Sequence, residues 1–278
     1  MKRRAISRAI PSFPRLISSH FHKTFRDVLD DLSLTGSLKL CLDATDIESY
    51  EGQGQVWRDR SGNGYDFNRG VDSAATAADP TFNGIAGRRS RNEYFSFDGG
   101  DLFTYDSANE AWMNNIHKDN AKFTIAGWVQ FPSVATYQTV CATEGFVADI
   151  GFILCMTNSA KLQFNARYGA SLNTLGLTSV ASISAATWTF VAVTVDDAIG
   201  VNGAALVING TSQLFTSTYA TPSASAAVDT FRIGARGTSG IPLLNGARMG
   251  GLVAWEGVAL TTTQLASIYA ATRGRFGV

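Results

Sequence analysis

Cysteine is scarce in this chain. Cys41, Cys141 and Cys155 are the only three in 278 residues, too few and odd in number for a disulfide framework, which points to folding in a reducing compartment. Proline is equally sparse, six against 27 glycines, a balance that suits many short strands joined by tight turns. No apolar run reaches the roughly 18 residues that a membrane span needs. After Lys2-Arg3-Arg4 the chain is broken up by Arg8, Pro11, Pro14 and Arg15 instead of continuing as an apolar stretch, which argues against a secretory signal. Histidine is thin too, and His20, His22 and His117 stand outside any zinc-ligand spacing. Charged residues make up only 17% of the chain and the two signs cancel, but unevenly: residues 1–36 hold seven Lys/Arg and three Asp, a net of +4. The rest of the chain is correspondingly acidic.

What the chain has instead is alternation. Trp188–Thr211 contains two β-branched apolar runs, TFVAVTV and AALVIN, and the second enters Asn209-Gly210, a dipeptide that supplies the positive φ of a tight hairpin. An antiparallel meander is predicted there. Upstream, residues 1–18 form a basic, Pro-punctuated arm that cannot fold alone. Phe21, Phe25, Val28, Leu29 and Leu32 then fall on one stripe of a helix of about three turns, capped by Ser18 or Ser19. That stripe either packs on its own domain or docks on a partner subunit.

Strands are predicted at Leu38–Asp43, around the loop of residues 59–64, on both sides of Asp98-Gly99-Gly100, at 123–131, at 137–143, 151–157 and 161–168, and after the meander at 212–219 and 229–236. A long strand pair spans 245–260, and a short helix follows with Leu265, Ile268 and Tyr269 on one side. Residues 70–92 read as an irregular connection. About a dozen strands without βαβ alternation or an internal repeat predict an all-β fold, a two-sheet antiparallel sandwich. Its core should include Trp128, Trp188, Phe190, Val193, Leu206 and Ile208. Within 123–131, either Phe123, Ile125 and Gly127 or Thr124, Ala126 and Trp128 should face inward.

The order of motifs resembles the laminin G-like jelly-roll domains of the concanavalin A-like lectin/glucanase superfamily. The matching landmarks are Trp57–Gly64 (WRDRSGNG), Phe97–Asp101 (FDGGD), Phe123–Trp128 (FTIAGW), Trp188–Thr194 (WTFVAVT), Leu206–Gly210 (LVING), Ile233–Arg236 (IGAR), Asn245-Gly246 and the closing Leu260–Tyr269 segment. The resemblance implies a concanavalin A-like domain over 37–278, preceded by residues 1–36 as a basic arm and amphipathic helix. That scaffold hosts lectins, glycan hydrolases, protein-binding modules and viral coat or fibre proteins, so function rests on the site. Residues 1–36 lie outside the family pattern and resemble, in general character, the docking arms of bacteriophage virion proteins.

Retaining glucanases on this scaffold need two carboxylates about 5 Å apart, hence an acidic residue at alternate positions of one strand face. No central strand carries that pattern. Asp46-Ile47-Glu48 comes nearest and reads as a solvated exit loop, while Asp196-Asp197 reads as a turn, so no catalytic residue is expected. Calcium, which some relatives carry, could take oxygens from Asp59, Asn63, Asp66, Asp98 or Asp101. Turn geometry already asks for those residues, and no cofactor is expected. Cys141 and Cys155 become cross-strand neighbours if their strands pair about Ala148, as buried thiols.

The leading expectation is therefore a non-enzymatic structural or adhesion protein of a virion, made in the host cytoplasm, whose lectin-like domain faces host-surface glycans. A free-standing lectin and a glycan hydrolase are the alternatives. Docking to other virion proteins, or to copies of itself in a symmetric oligomer, falls to Arg3, Arg4, Arg8, Arg15, Phe21, Phe25, Val28, Leu29 and Leu32. Neither a membrane nor nucleic acid is expected as a partner, because the phenylalanines in the arm suit a protein groove better than a polyanion.

Overall fold

The computed structural model describes residues 23–88, 90, 92–145, 150–169, 172–220, 224–238 and 240–278. Helix α1 (Phe25–Asp31) precedes strands β1 (Leu38–Asp43), β2 (Val56–Trp57), β3 (Phe67–Arg69), β4 (Thr81–Asn83), β5 (Tyr94–Ser96) and β6 (Phe103–Tyr105). After α2 (Ala111–Asn115) come β7 (Lys122–Gln130), β8 (Gln138–Ala142), β9 (Ile150–Met156), β10 (Lys161–Gly169), β11 (Leu172–Ser182) and β12 (Trp188–Asp196). A 3-10 segment, Asp197–Gly203, leads into β13 (Ala204–Ile208), β14 (Thr211–Gln213) and β15 (Phe215–Tyr219), followed by β16 (Arg232–Ile233), β17 (Arg248–Glu256) and α3 (Thr262–Thr272).

Two antiparallel sheets form a jelly-roll-like sandwich. The first runs β14-β13-β12-β7-β17-β5-β4 with β1 also paired to β17, and the second runs β15-β11-β10-β9-β8-β16-β6-β3-β2. The predicted meander is β12-β13-β14, and Asn209 and Gly210 make its turn with φ of 50° and 73° between the paired Ile208 and Thr211. Asn209 also accepts the Phe190 amide through its side chain at 2.9 Å, so the turn residue pins the neighbouring strand.

Between the sheets, Phe123, Ile125, Val129, Val191 and Val193 meet Phe152, Leu154, Phe164, Leu177 and Ile233. The opposite face of the first sheet is buried as well. Ala126, Trp128, Phe190, Val253 and Trp255 are covered by Phe25 and Leu29 of α1 and by Leu265 and Ile268 of α3. In β7 the set Phe123, Ile125 and Gly127 faces the opposite sheet, and the other set, Thr124, Ala126 and Trp128, is buried as well, because helices cover what a one-sided sheet would leave wet. Of the expected core, Trp128, Phe190, Val193, Leu206 and Ile208 are buried, whereas Trp188 is only half-buried at the end of its strand.

The N-terminal helix is shorter than predicted and begins later. Thr24 caps it: its side chain accepts from the Asp27 amide at 3.1 Å, and Asp27 returns the contact to the Thr24 amide at 2.9 Å. Ser18, Ser19 and Phe21 lie outside the described residues, as do Lys2, Arg3, Arg4, Arg8 and Arg15. Phe25, Val28 and Leu29, offered above as partner-docking residues, are completely buried within the chain, Phe25 and Leu29 against its own sheet, and Leu32 packs half-buried on the same cluster. Among the described residues, the stripe is thus packed within the chain.

Other departures have local causes. Strand β11 was not predicted, since its outward positions Thr174, Gly176 and Thr178 are small and polar and only Leu175 and Leu177 mark an inner face. Residues 212–219 form two strands in different sheets, broken at the exposed Leu214. The expected strand pair over 245–260 is the single strand β17. Cys141 and Cys155 are free, buried and one position out of register: Thr139 faces Cys155, and Cys141 faces Leu154. Cys141 joins the inter-sheet core while Cys155 packs with Ala142 and Ile153 on the other face.

Candidate functional site

Cross-strand partners share a face of a sheet, so a row of directly opposed residues is a row of neighbouring side chains. One such row crosses five strands of the first sheet: Trp188 faces Gln130, Gln130 faces Arg248, Arg248 faces Ser96 and Ser96 faces Thr81. It lies on the same outer face as Trp128 and Phe190, but beyond the reach of α1 and α3. Two residues along from Ser96 and Thr81, Tyr94 and Asn83 stand on that face too, because side chains repeat every second residue.

Three half-buried rings frame this end. Trp188 and Tyr94 lie edge to face with centroids 5.8 Å apart, and Trp188 and Phe276 are 4.7 Å apart. Phe276 is itself held by stacking on the buried Trp128 at 4.4 Å. Two depressions of about 270 Å³ each meet at Tyr94 and Arg248. One is lined by Trp188, Phe276 and Asn92, the other by Thr81, Asn83, Ser96, Asp98, Asp101 and Asn245. Asn83 donates to the Ser96 hydroxyl at 2.8 Å and to the Thr81 carbonyl at 2.9 Å, which fixes the orientation of its amide. Half-buried rings beside a short list of hydrogen-bonding side chains can bind a ligand that has one apolar face and polar edges.

The two aspartates at the groove wall belong to one turn. Asp98 accepts the Gly100 amide and Asp101 accepts the Asp98 amide, each at 2.8 Å, around Gly99 at φ 101°. Burial, with the neighbouring Asp98 carboxylate added to it, pushes the Asp101 carboxyl up to about 7. Asp59 is spoken for in the same way: one oxygen accepts the Cys41 and Ser61 amides at 2.8 Å and the other accepts the Ser61 hydroxyl and the Tyr65 amide. Asp66 accepts the Asp59 amide, and Asn63 donates to the carbonyls of Leu38 and Lys39. The five residues that could have offered oxygens to calcium thus serve two separate turns. Residues 59–63 clamp the free edge of β1. Among the described residues no three His, Cys, Asp or Glu side chains gather as a metal set.

Asp46 departs from the expected solvated loop: it is buried and accepts from Arg60 at 3.2 Å, while the exposed Glu48 pairs with the same arginine. Asp196 pairs with Lys122 at 2.6 Å, and the buried Asp197 accepts the Asn120 amide at 3.0 Å. Neither acidic doublet opens onto the groove. A larger cavity of about 420 Å³ sits at the end of the sandwich beside Lys39, Lys118, Lys122 and Glu256. Glu256 there is taken by Lys39 at 3.4 Å and by the Asn115 amide at 2.8 Å, Lys122 pairs with Asp196, and Phe123, the one aromatic residue in the lining, is buried in the core.

None of Tyr94, Arg248 or Phe276 stood out in the sequence. Alternation tells which residues of one strand share a face, but only long-range register brings Trp188, Arg248 and Ser96 into one row.

Comparison with known proteins follows the architecture. No curated protein matches the chain. Among solved structures, the sialidase of Trypanosoma rangeli in complex with sialic acid superposes with a TM-score of 0.55 at 15% identity, over 86% of this chain and 34% of that one. The binding domain of botulinum neurotoxin serotype D gives a TM-score of 0.51 at 16% identity, over 86% of this chain and 51% of that one. The chain thus spans about a third of the sialidases' length and about half of the neurotoxin domain's. A laminin G-like family model described as concanavalin A-like lectin/glucanases superfamily matches residues 103–265, more than half of the chain. With its two-sheet sandwich, hairpin meander and closing helix, this chain belongs to the concanavalin A-like lectin/glucanase superfamily.

Proposed function

We propose that this chain is a non-catalytic glycan-binding domain, displayed by a larger assembly such as a virion spike or fibre. The observation that carries the reading is the row Trp188–Gln130–Arg248–Ser96–Thr81 with Tyr94 and Phe276 beside it. A pyranose ring has an apolar face of C–H groups that lies on an aromatic ring and a rim of hydroxyls that needs Asn, Ser, Thr and Asp partners; the groove holds both kinds of side chain side by side. The fold supports the reading, since the neurotoxin neighbour is a binding domain and the sialidase neighbour holds sialic acid. Attachment to the assembly would rest on residues 1–22, with Arg3, Arg4, Arg8, Arg15 and Phe21, because the helical stripe that follows is already buried.

Catalysis is no part of this reading. Asp98 and Asp101 are held in one turn by the Gly100 and Asp98 amides, and the two-carboxylate glycosidase mechanism needs two carboxyls about 5 Å or more apart with separate roles across the scissile bond.

A panel of immobilised oligosaccharides tests the proposal. Wild type should bind a subset of them without cleaving any, and Trp188→Ala and Tyr94→Ala should each weaken binding about tenfold or more at unchanged secondary structure. Retained binding in both variants would move the site elsewhere, and cleavage abolished by Asp98→Asn or Asp101→Asn would make the chain a hydrolase.

A further inference from the structure

Resting on the glycan-binding reading of the groove, we infer that its ligand is a sugar bearing a carboxylate, and that Arg248 is the side chain that recognises it. Four arginines stand on strands among the described residues. Arg69, Arg167 and Arg232 each hold a carboxylate, from Asp79, Glu144 and Asp229 respectively. Arg248 holds no carboxylate: its guanidinium lies 4.9 Å over the ring of Tyr94, half-buried, in the middle of the five-strand row and on the wall shared by both depressions. The two carboxylates that line the same depression, Asp98 and Asp101, accept the amides of their own turn.

A guanidinium in this position is a preorganised receptor. Its planar fork of N–H donors matches the two oxygens of a carboxylate, and a charge-assisted bidentate pair is about twice as strong as a neutral contact. The contact with Tyr94 restrains the Arg248 side chain beforehand, which reduces the ordering cost on binding. The pyranose ring carrying the acid would lie against Trp188 and Phe276 on one side or reach Ser96, Asn83 and Asn245 on the other, since Arg248 touches both depressions. A uronic acid and a sialic acid present the same ring-borne carboxylate, and the shared group is what the site reads.

The test uses the full chain and titration calorimetry with four probes: an oligouronate, sialyllactose, lactose, and lactose sulfated at one hydroxyl. One of the two carboxylated sugars should bind at least about tenfold more tightly than lactose, and which one it is identifies the source. Arg248→Gln should erase that preference, so that within this variant the acidic sugar binds no more tightly than lactose, at an unchanged melting temperature. Arg248→Lys, which keeps the charge but loses the fork, should lose most of it. Equal affinity for lactose and the acids, equal affinity for sulfated and carboxylated sugars, or an intact preference in Arg248→Gln would each overturn the carboxylate assignment while glycan binding stands. Failure of every probe and of the wider panel to bind would overturn the glycan-binding reading and this inference with it.

Discussion

Asp101 and Glu93 are buried carboxyls whose ionisation is held up to about 7, in both cases chiefly by burial. Each binds its proton more tightly in the folded chain than in the unfolded one, so each favours folding below its unfolded value near 4 and loses that contribution as pH rises towards 7. Asn at position 101 keeps an oxygen for the Asp98 amide and has no charge to bury. Asp101→Asn should therefore raise the melting temperature at pH 8 more than at pH 5, read by thermal denaturation at the two pH values; an equal change at both would remove ionisation as the cause. Tryptophans divide just as sharply by position. Trp128 is fully buried, donates to the Thr272 hydroxyl at 2.9 Å and stacks on Phe276, so Trp128→Ala should cost about 3–5 kcal/mol in chemical denaturation. Trp188, half-buried at the groove, should cost clearly less and register in ligand binding instead.

At the scale of elements, the two chain ends and β1 are tied by one carboxylate. Asp43, at the end of β1, accepts the Phe25 amide at 2.7 Å with one oxygen, and with the other accepts from Thr45 and from Arg275 just past α3. The Arg275 guanidinium lies 5.2 Å over the ring of Phe25, so α1 is gripped from both sides. Both charges are buried, and a buried arginine that loses its partner costs far more than the pair contributes when intact. Asp43→Ala should lower stability by about 3–5 kcal/mol, while Asp43→Ala combined with Arg275→Met should recover part of the loss; equal denaturation midpoints for the single and double variants would show the pair is uncoupled. Elements of this kind also mark how far the sequence could be read. Alternation in 123–131 and 188–208, and Asn209-Gly210, announced the meander because those signals are local. The Asp43 latch, the second buried face of the sheet and the row through Arg248 depend on which strand lies beside which, and no local pattern encodes that. Strand β11 escaped because its apolar alternation is confined to Leu175 and Leu177, with Gly176 between them and small polar residues on either side.

At the scale of the molecule, the N-terminal 36 residues divide where α1 begins. The segment up to residue 22 carries Lys2, Arg3, Arg4, Arg8 and Arg15, whereas α1 places Phe25, Val28 and Leu29 in the interior, with Phe25 and Leu29 over Trp128, Trp255 and Cys41. Burying those three side chains contributes about 1.5–3 kcal/mol each before ordering costs, a large share of the roughly 5–15 kcal/mol that holds a domain together. Removing residues 1–22 should therefore leave the melting temperature unchanged and, under the proposed function, should abolish co-assembly without changing glycan affinity. Removing residues 1–36 should additionally strip the cover from Trp255, whose indole N–H donates to the Leu34 carbonyl at 2.7 Å, and release Asp43 from Phe25. That longer deletion should melt well below the shorter one and bind a hydrophobic dye before it unfolds. Identical melting of the two truncated proteins would mean that α1 adds nothing to the sandwich, and its apolar stripe would then be free for a partner after all.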